Sequence, residues 1–504
     1  KRRLFMHYKN IKRIIRKQLK KQYPNWKQLS KKQKKAISKA VLNETVAQYD
    51  FEQDIHIPLE ELIGIKEQTQ MDGIMNLEEM AHFIDVFNSG KFIQFNNYNR
   101  SNLFIEDEEL KFIDALLDNG IINSLLSHNG YSPCMRELFP CNLFRAELLK
   151  AIKYPEISYR KFCGNDYLGM DRKQNRVFVG LPLISPKMID HTELSKFRSS
   201  LTFRQLVNLM VYILHHFYQS GLLGDCVLHG IDSTELANDC KTPLASIKVN
   251  GKKIRIYHDL DCDCGKRRNK RDKSPYVIGY RLHTLTAINA ETGHSYPLIS
   301  LLAPANHHDS NFLLPLVKLA QAIGIDMKLV TADEAYHDGN GAFYEETRIH
   351  VTTPPSAKVG LPEHVNPDTL SVFIDDMCEI PMCYVGYENN THEYKCGASP
   401  GECFRSGNCP QCRKISCDNG NFQRIPNDKN QVEQAHDIRK NIERPFNLLK
   451  NQTGLEQVRV RSQHSLIARS IFSNIGVLLI EMADTRRKKK VNKPQQIKLF
   501  DLAA

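Results

Sequence analysis

Three acids and a set of cations around one of them are the residues of this chain best suited to chemistry. In HDIRKNIERPFNLLK, residues 436–450, His436, Arg439, Glu443 and Lys450 fall within about 60° of one another on a helix of about 3.6 residues per turn. One carboxylate is thus set among three potential cations. Ile442, Phe446 and Leu449 recur at helical spacing and give the same helix an apolar anchor. Charge pairs at this spacing also occur on plain solvated helices, so the pattern gains meaning only from acids elsewhere. Asp232 follows the apolar run CVLHGI and Asp333 follows MKLVTA, and each is expected at the carboxyl end of a buried strand. Two acids from strands and one from a helix can converge on a divalent metal, because Mg2+ is held by one or two carboxylates plus substrate phosphate oxygens. Two such ions, Mg2+ or Mn2+, would stabilise the attacking and leaving oxygens of an in-line displacement at phosphorus.

The acids require a sheet to carry them. A strand is expected at 226–232, then a hairpin turning at Asn250-Gly251, then paired strands at 276–288 and 295–302 around the turn AETGH. A helix over 310–323 ends at Gly324, and the next strand delivers Asp333. Asp309 is placed to cap that helix, with support of the chemistry as the second reading. Arg281 and His283 share one face of a strand, from which they could point toward the acids or a phosphate. Between Asp333 and Glu443 lie 109 residues, more than a compact core needs, so the span contains an insertion. Within it Cys396, Cys403, Cys409 and Cys412 are candidate ligands of a structural Zn2+, with Cys417 to spare; free thiols in an irregular β-rich subdomain are the alternative. Cys262-x-Cys264, in DCDCGKRRNKRDK, suggests a basic loop near DNA more than a ligand pair.

GIDSTEL at 230–236, VTADEAYHD at 330–338 and the His-x2-Arg-x3-Glu-x6-Lys segment together resemble an insertion-sequence transposase of the DDE class. The family signature is Tyr-Arg-Glu-Lys, and His436 stands where the tyrosine is usual. YVIGYRLH at 276–283, ANHHDS at 305–310 and DHTELSKFR at 190–198 extend the likeness over most of residues 150–485. The resemblance implies an α/β fold: a ribonuclease-H-like mixed sheet flanked by helices, preceded by an α-helical region and interrupted by a Cys-rich, β-rich insertion. It implies Asp232, Asp333 and Glu443 as catalytic metal ligands, with Arg439, Lys450 and, more weakly, His436 against the phosphate backbone. Double-stranded DNA, both transposon ends and target, would be the substrate, engaged by a homodimer. A nuclease of the same fold that cuts without joining, and an inactive DNA-binding descendant, remain open.

The net charge of +12 is unevenly placed: residues 1–40 hold sixteen Lys or Arg and no acid, leaving the rest at −4. A basic arm on a slightly acidic body argues for a polyanionic partner, a solubilising tail being the plainer reading. Residues 9–23 form an amphipathic helix ended by Pro24, with Lys12, Arg13, Arg16 and Lys17 as candidate DNA contacts, and a second helix runs from Ser30 to about Tyr49. The pair could read bases as a helix-turn-helix or grip backbone alone. Helices are expected at 77–88, 106–118, 143–152 and 202–219, the last with a stripe explained by packing and with His215 and His216 as a structural pair. Asp190 or Thr192 would cap the helix in DHTELSKFR. No window reaches the roughly 18 apolar residues of a membrane span, and 205–217 and 471–483 are expected as core helices. With no signal-peptide pattern and scattered cysteines, a cytoplasmic setting with reduced thiols is expected. The expected divisions are 1–49 (basic DNA-binding arm), 50–225 (helical domain), 226–355 (first part of the core), 356–430 (Cys-rich insertion), 431–485 (closing helices) and 486–504 (basic tail).

Overall fold

The structure, a computed structural model, describes residues 4–52, 71–89, 104–126, 138–186, 188–225, 227–240, 242–249, 251–266, 275–327, 329–336, 342–353, 362–366, 371–388, 391–399, 402–403, 409–416, 437, 439–455 and 460–491. The chain divides into two compact units, one of residues 1–71, 225–446 and 458–467, the other of 72–224, 447–457 and 468–504.

The first unit opens with β1 (Leu4–His7), α1 (Tyr8–Gln22), α2 (Lys31–Gln48) and β2 (Tyr49–Glu52), the two short strands pairing in parallel. Ser30 caps α2 reciprocally with Gln33, as expected. The apolar stripe of α1, Ile11, Ile15 and Leu19, is buried against Trp26, Val41 and Leu42, and in the same core against Ala245, Ile254 and Ile256. Those last residues belong to a separate two-stranded ribbon, β4 (Ala245–Val249) and β5 (Lys252–Ile256), in which Val249 faces Lys252. Gly251, of the Asn-Gly pair singled out in the sequence, lies between the two strands at φ +78°, a conformation that costs a glycine nothing. The first helices are therefore part of a folded core and not a free arm.

The main sheet comprises β3 (Val227–Ala237), β6 (Asp263–Lys266), β7 (Tyr276–Asn289), β8 (Ser295–Pro304), β9 (Leu329–Ala332) and β10 (His350–Thr352). Its order is β10-β9-β3-β7, and the far edge of β7 takes β8 along most of its length and β6 at its start. β3, β7 and β8 are antiparallel, whereas β9 and β10 run parallel to β3. The helix Leu313–Ala322 lies in the connection from β8 to β9 that this parallel pairing requires. The turn between β7 and β8 is held by Asn289, whose Oδ1 accepts from the N–H groups of Glu291 and Thr292 at 2.9 and 3.0 Å. A smaller antiparallel sheet, β11 (Cys383–Glu388), β12 (Thr391–Lys395) and β13 (Cys412–Ser416), packs on Val365, Val372 and Met382.

The second unit is helical. Its longer elements are Leu77–Ser89, Glu108–Leu116, Pro140–Ile152, His191–Ser200 and Phe203–Gln219, together with most of Gln463–Val491. The last helix is long and apolar enough to cross a membrane, but the apolar 18-residue window within its Gln463–Arg486 stretch is 94% buried, as a core helix is. Asp190 caps His191–Ser200 by accepting from the Thr192 N–H at 2.7 Å, and Glu193 closes the box. From the same helix Arg198 pairs with the wholly buried Glu147, which also accepts from the Tyr159 hydroxyl at 2.8 Å. Capping and a buried ion pair thus account for much of DHTELSKFR.

Candidate active site

β3 continues to Ala237, so Asp232 stands within the strand and not at its end as the apolar run suggested. What ends there is its parallel neighbour. The β3–β9 ladder runs from His229 opposite Val330 to Ile231 opposite Ala332, and Asp232 and Asp333 are the next residue of each chain. Two carboxylates are thereby delivered side by side at the fork where β9 leaves β3. Burial, followed by the charges of Asp333 and Asp309, pushes the Asp232 carboxyl up to about 6; the Ser233 N–H, 2.7 Å from its Oδ1, and Arg439 act the other way.

Beside this pair Arg281 donates to Asp309 at 2.8 Å and to the Lys266 carbonyl at 3.1 Å. Asp309 is not the helix cap: His308 Nδ1 accepts from the Ser310 N–H at 3.3 Å in that role, and the Asp309 carboxylate is occupied by Arg281. His283 is fully buried, stacked on Phe312 with ring centroids 3.9 Å apart, and its Nδ1 meets the Tyr336 hydroxyl at 3.0 Å. Burial pushes His283 down to about 3, so it is a neutral ring in the core and not a cation facing phosphate. Tyr336 in turn closes a backbone turn onto Asp333, its N–H donating to the Asp333 carbonyl at 2.9 Å. The chain Phe312, His283, Tyr336 thus braces the turn that carries Asp333. Sequence reasoning missed Tyr336, although its place three residues after Asp333 in VTADEAYHD was the available signal.

The helix expected over 436–450 is interrupted. Arg439 and Lys440 are helical, Asn441 and Ile442 form a turn, Glu443–Asn447 is a short helix, and Leu448–Gln452 is a π-helical turn. Pro445 explains the break, since its ring would clash with the carbonyl of Asn441 in a continuous helix. That carbonyl instead accepts from Ser295 Oγ at 2.5 Å. The common face predicted for the four charged residues is therefore not kept. Arg439 is half-buried and close enough to Asp232 to lower its pKa, and its Nε has no hydrogen-bond partner among the described residues. Glu443 is exposed. Ile442 fills the space above Gly230, where an added Cβ would come within 2.2 Å of Ile442 Cδ1. Gly230 and Asp232 alternate onto one face of β3, so the segment leading to Glu443 lies on the face toward which Asp232 points. Lys450 falls in the second compact unit, and His436 lies outside the described residues. Among the described residues no three His, Cys, Asp or Glu side chains are grouped to hold a metal. The structure thus joins Asp232, Asp333 and Arg439, and does not bring Glu443 into a three-acid cluster.

Two further expectations are corrected. Lys12 and Arg16 are turned onto buried Asp263, at 2.7 and 3.2 Å, and Lys20 onto Asp261 at 2.5 Å. Burial works to raise the Asp263 carboxyl, and Lys12 and Arg16 overcome it and hold it below its usual range. The start of the supposed basic loop, DCDC, is an acidic dock for α1. Lys17 is exposed, and the Arg13 side chain lies outside the described residues. Cys396, Cys403, Cys409 and Cys412 do not gather into a metal-holding group; Cys412 Sγ lies 3.3 Å from a Glu393 carboxylate oxygen instead, and Cys417 lies outside the described residues.

Residues 247–479 match the family model of the transposase DDE domain. This stretch is a transposase DDE domain. Its match takes in Asp333, Arg439, Glu443 and Lys450 and begins after Asp232. Among curated proteins none matches the chain. The match to this domain implies a DNA substrate and metal-dependent nuclease or transferase chemistry.

Proposed function

We propose that the chain is a DNA transposase that hydrolyses the phosphodiester at a transposon end and transfers the freed 3′-hydroxyl into target DNA. The observation that carries this reading is the adjacency of Asp232 and Asp333 where the β3–β9 ladder stops. The sheet supports it too: three antiparallel strands, then a helix and two parallel strands on the opposite side of β3, is the order of a ribonuclease-H-like core.

The donor set fits a hard divalent cation. Two carboxylates stand together, one with its pKa raised to about 6 chiefly by burial and further by like charge, and a cation would relieve both effects. In this reading Asp232 and Asp333 hold the metal and Glu443 completes the set from the short helix anchored through Ile442 on Gly230. Bound Mg2+ or Mn2+, two ions in the full site, supplies water activation and stabilises charge developing on phosphate oxygens. Arg439 neutralises the phosphate backbone beside the scissile bond, with Lys450 and, more weakly, His436 as further backbone contacts. Arg281 keeps the third local carboxylate, Asp309, paired, so that it does not compete for the metal. Joining two ends calls for a homodimer on DNA.

Cleavage of supercoiled DNA in Mg2+ by the parent and by Asp232→Asn tests the assignment. The expected result is loss of cleavage with duplex binding kept; equal cleavage by both proteins rejects it. Joining of a pre-cut 3′-hydroxyl end to a target plasmid tests the second step, and cutting without joined product rejects strand transfer.

A further inference from the structure

The ribbon β4–β5 stands outside the main sheet and has two unlike faces. Ala245, Ile254 and Ile256 point into the core shared with α1 and α2, with Ile247 and Val249 packed beside them. The alternate residues point outward, where Lys248 lies directly opposite Lys253, and Ser246 opposite Arg255. Lys248 and Lys253 are exposed and Arg255 is half-buried. Like charges directly across a ladder destabilise it, and among the described residues no acid pairs with either lysine. Residues 241–258 contain five Lys or Arg and no acid, and no ion pair to Lys248, Lys253 or Arg255 occurs among the described residues. A solvated face explains one such lysine, but not an unneutralised pair kept at the tip of a ribbon.

The neighbourhood extends the same charge. At the foot of the ribbon His258 is held below its usual value, first by burial and then by Lys34, Arg461 and Lys31, with Asp239 acting the other way. Asp239 is paired with Arg461 at 2.8 Å. Lys31 and Lys35, one helical turn apart, are exposed on α2. Of the cations of α1, Lys12, Arg16 and Lys20 are by contrast spent on Asp261 and Asp263.

We propose that the outer face of the β4–β5 ribbon, through Lys248, Lys253 and Arg255, binds the phosphate backbone of duplex DNA, with Lys31 and Lys35 of α2 extending the contact. A two-stranded ribbon fits the major groove, and lysines on its outer face would meet the phosphates at its walls. The proposal rests on the reading of the chain as acting on DNA, and it moves the N-terminal contact from α1 to α2 and the ribbon.

Binding of a fluorescent mixed-sequence duplex to the full chain, followed by anisotropy across a salt series, tests it. Changing Lys248→Gln together with Lys253→Gln is expected to weaken binding on the order of tenfold and to lower the slope of log affinity against log salt by about 2, roughly one unit per lost phosphate contact. Arg255→Gln alone should lower the slope by about 1. The thermal midpoint of the double variant should hold or rise, because a cross-strand repulsion is removed. Unchanged affinity and slope in a folded variant overturn the proposal, as does failure of the parent to bind duplex. Loss of binding by the ribbon variants while Asp232→Asn still cleaves would leave the ribbon assignment standing and remove the catalytic one.

Discussion

At Tyr336 and His283 single atoms carry a structural role that can be separated from the chemistry. Tyr336→Phe deletes the hydroxyl that meets His283 Nδ1 and leaves the ring in place. Looser placement of Asp333 is expected to slow cleavage by on the order of tenfold to a hundredfold, with duplex affinity unchanged; anisotropy beside single-turnover cleavage measures both. His283 also contributes to acid sensitivity. Its folded pKa, about 3, lies below the ordinary 6.5, so in the window between them the unfolded chain binds the extra proton. Its contribution to stability is complete above pH 6.5 and is lost as pH falls toward 3. His229, held near 4 chiefly by burial, acts in the same direction. Melting at a series of pH values should show His283→Gln losing less of its thermal midpoint between neutral and mildly acidic pH than the parent does. An identical acid limb in the two proteins would show that His283 does not contribute.

At the scale of elements, α1 is held by its charges as well as its apolar stripe. Removing Arg16 leaves Asp263 buried with Lys12 and the Cys264 N–H as its partners, so Arg16→Ala should cost toward the lower end of about 3–5 kcal/mol in urea unfolding. Lys17→Gln, on the exposed side of the same helix, should stay within about 0.5 kcal/mol. The sequence displays α1 clearly, because an apolar stripe at helical period is a local signal. The destination of its lysines was hidden, because Asp261 and Asp263 sit some 240 residues away in a segment dominated by basic neighbours. The strands and the Asn-Gly turn were legible for the same local reason. The broken helix before Glu443 was legible in principle: Pro445 was in view, and helical spacing of the charges was given more weight than a missing N–H and a carbonyl clash. Asp232 was placed at a strand end because its apolar run stops there, whereas the strand goes on with polar residues supported by β7. The four cysteines are not grouped among the described residues, since spacing along a chain says little about approach across an antiparallel sheet.

At the scale of the whole chain, the first residues complete a core begun far downstream. Deleting residues 1–48 would strip Ile11, Ile15, Leu19, Val41 and Leu42 from Leu244, Ile254, Ile256 and Leu260. The truncated protein is expected to aggregate on expression, and a soluble, monodisperse truncation on size exclusion would show that α1 and α2 are dispensable to the fold. β7 has the opposite standing. It is flanked on both edges, by β3 on one side and by β8 and β6 on the other, and its residues from Tyr280 to Asn289 are buried apart from Arg281. A slip of one residue along it would turn His283 onto the opposite face of the sheet, away from Phe312 and Tyr336, and pull its threonines out of line with Asp232. Amide protons of this strand should therefore be the last to exchange with deuterium, outlasting those of the ribbon, and a partly opened molecule should still hold Asp232 against Thr284 after its edges have come apart.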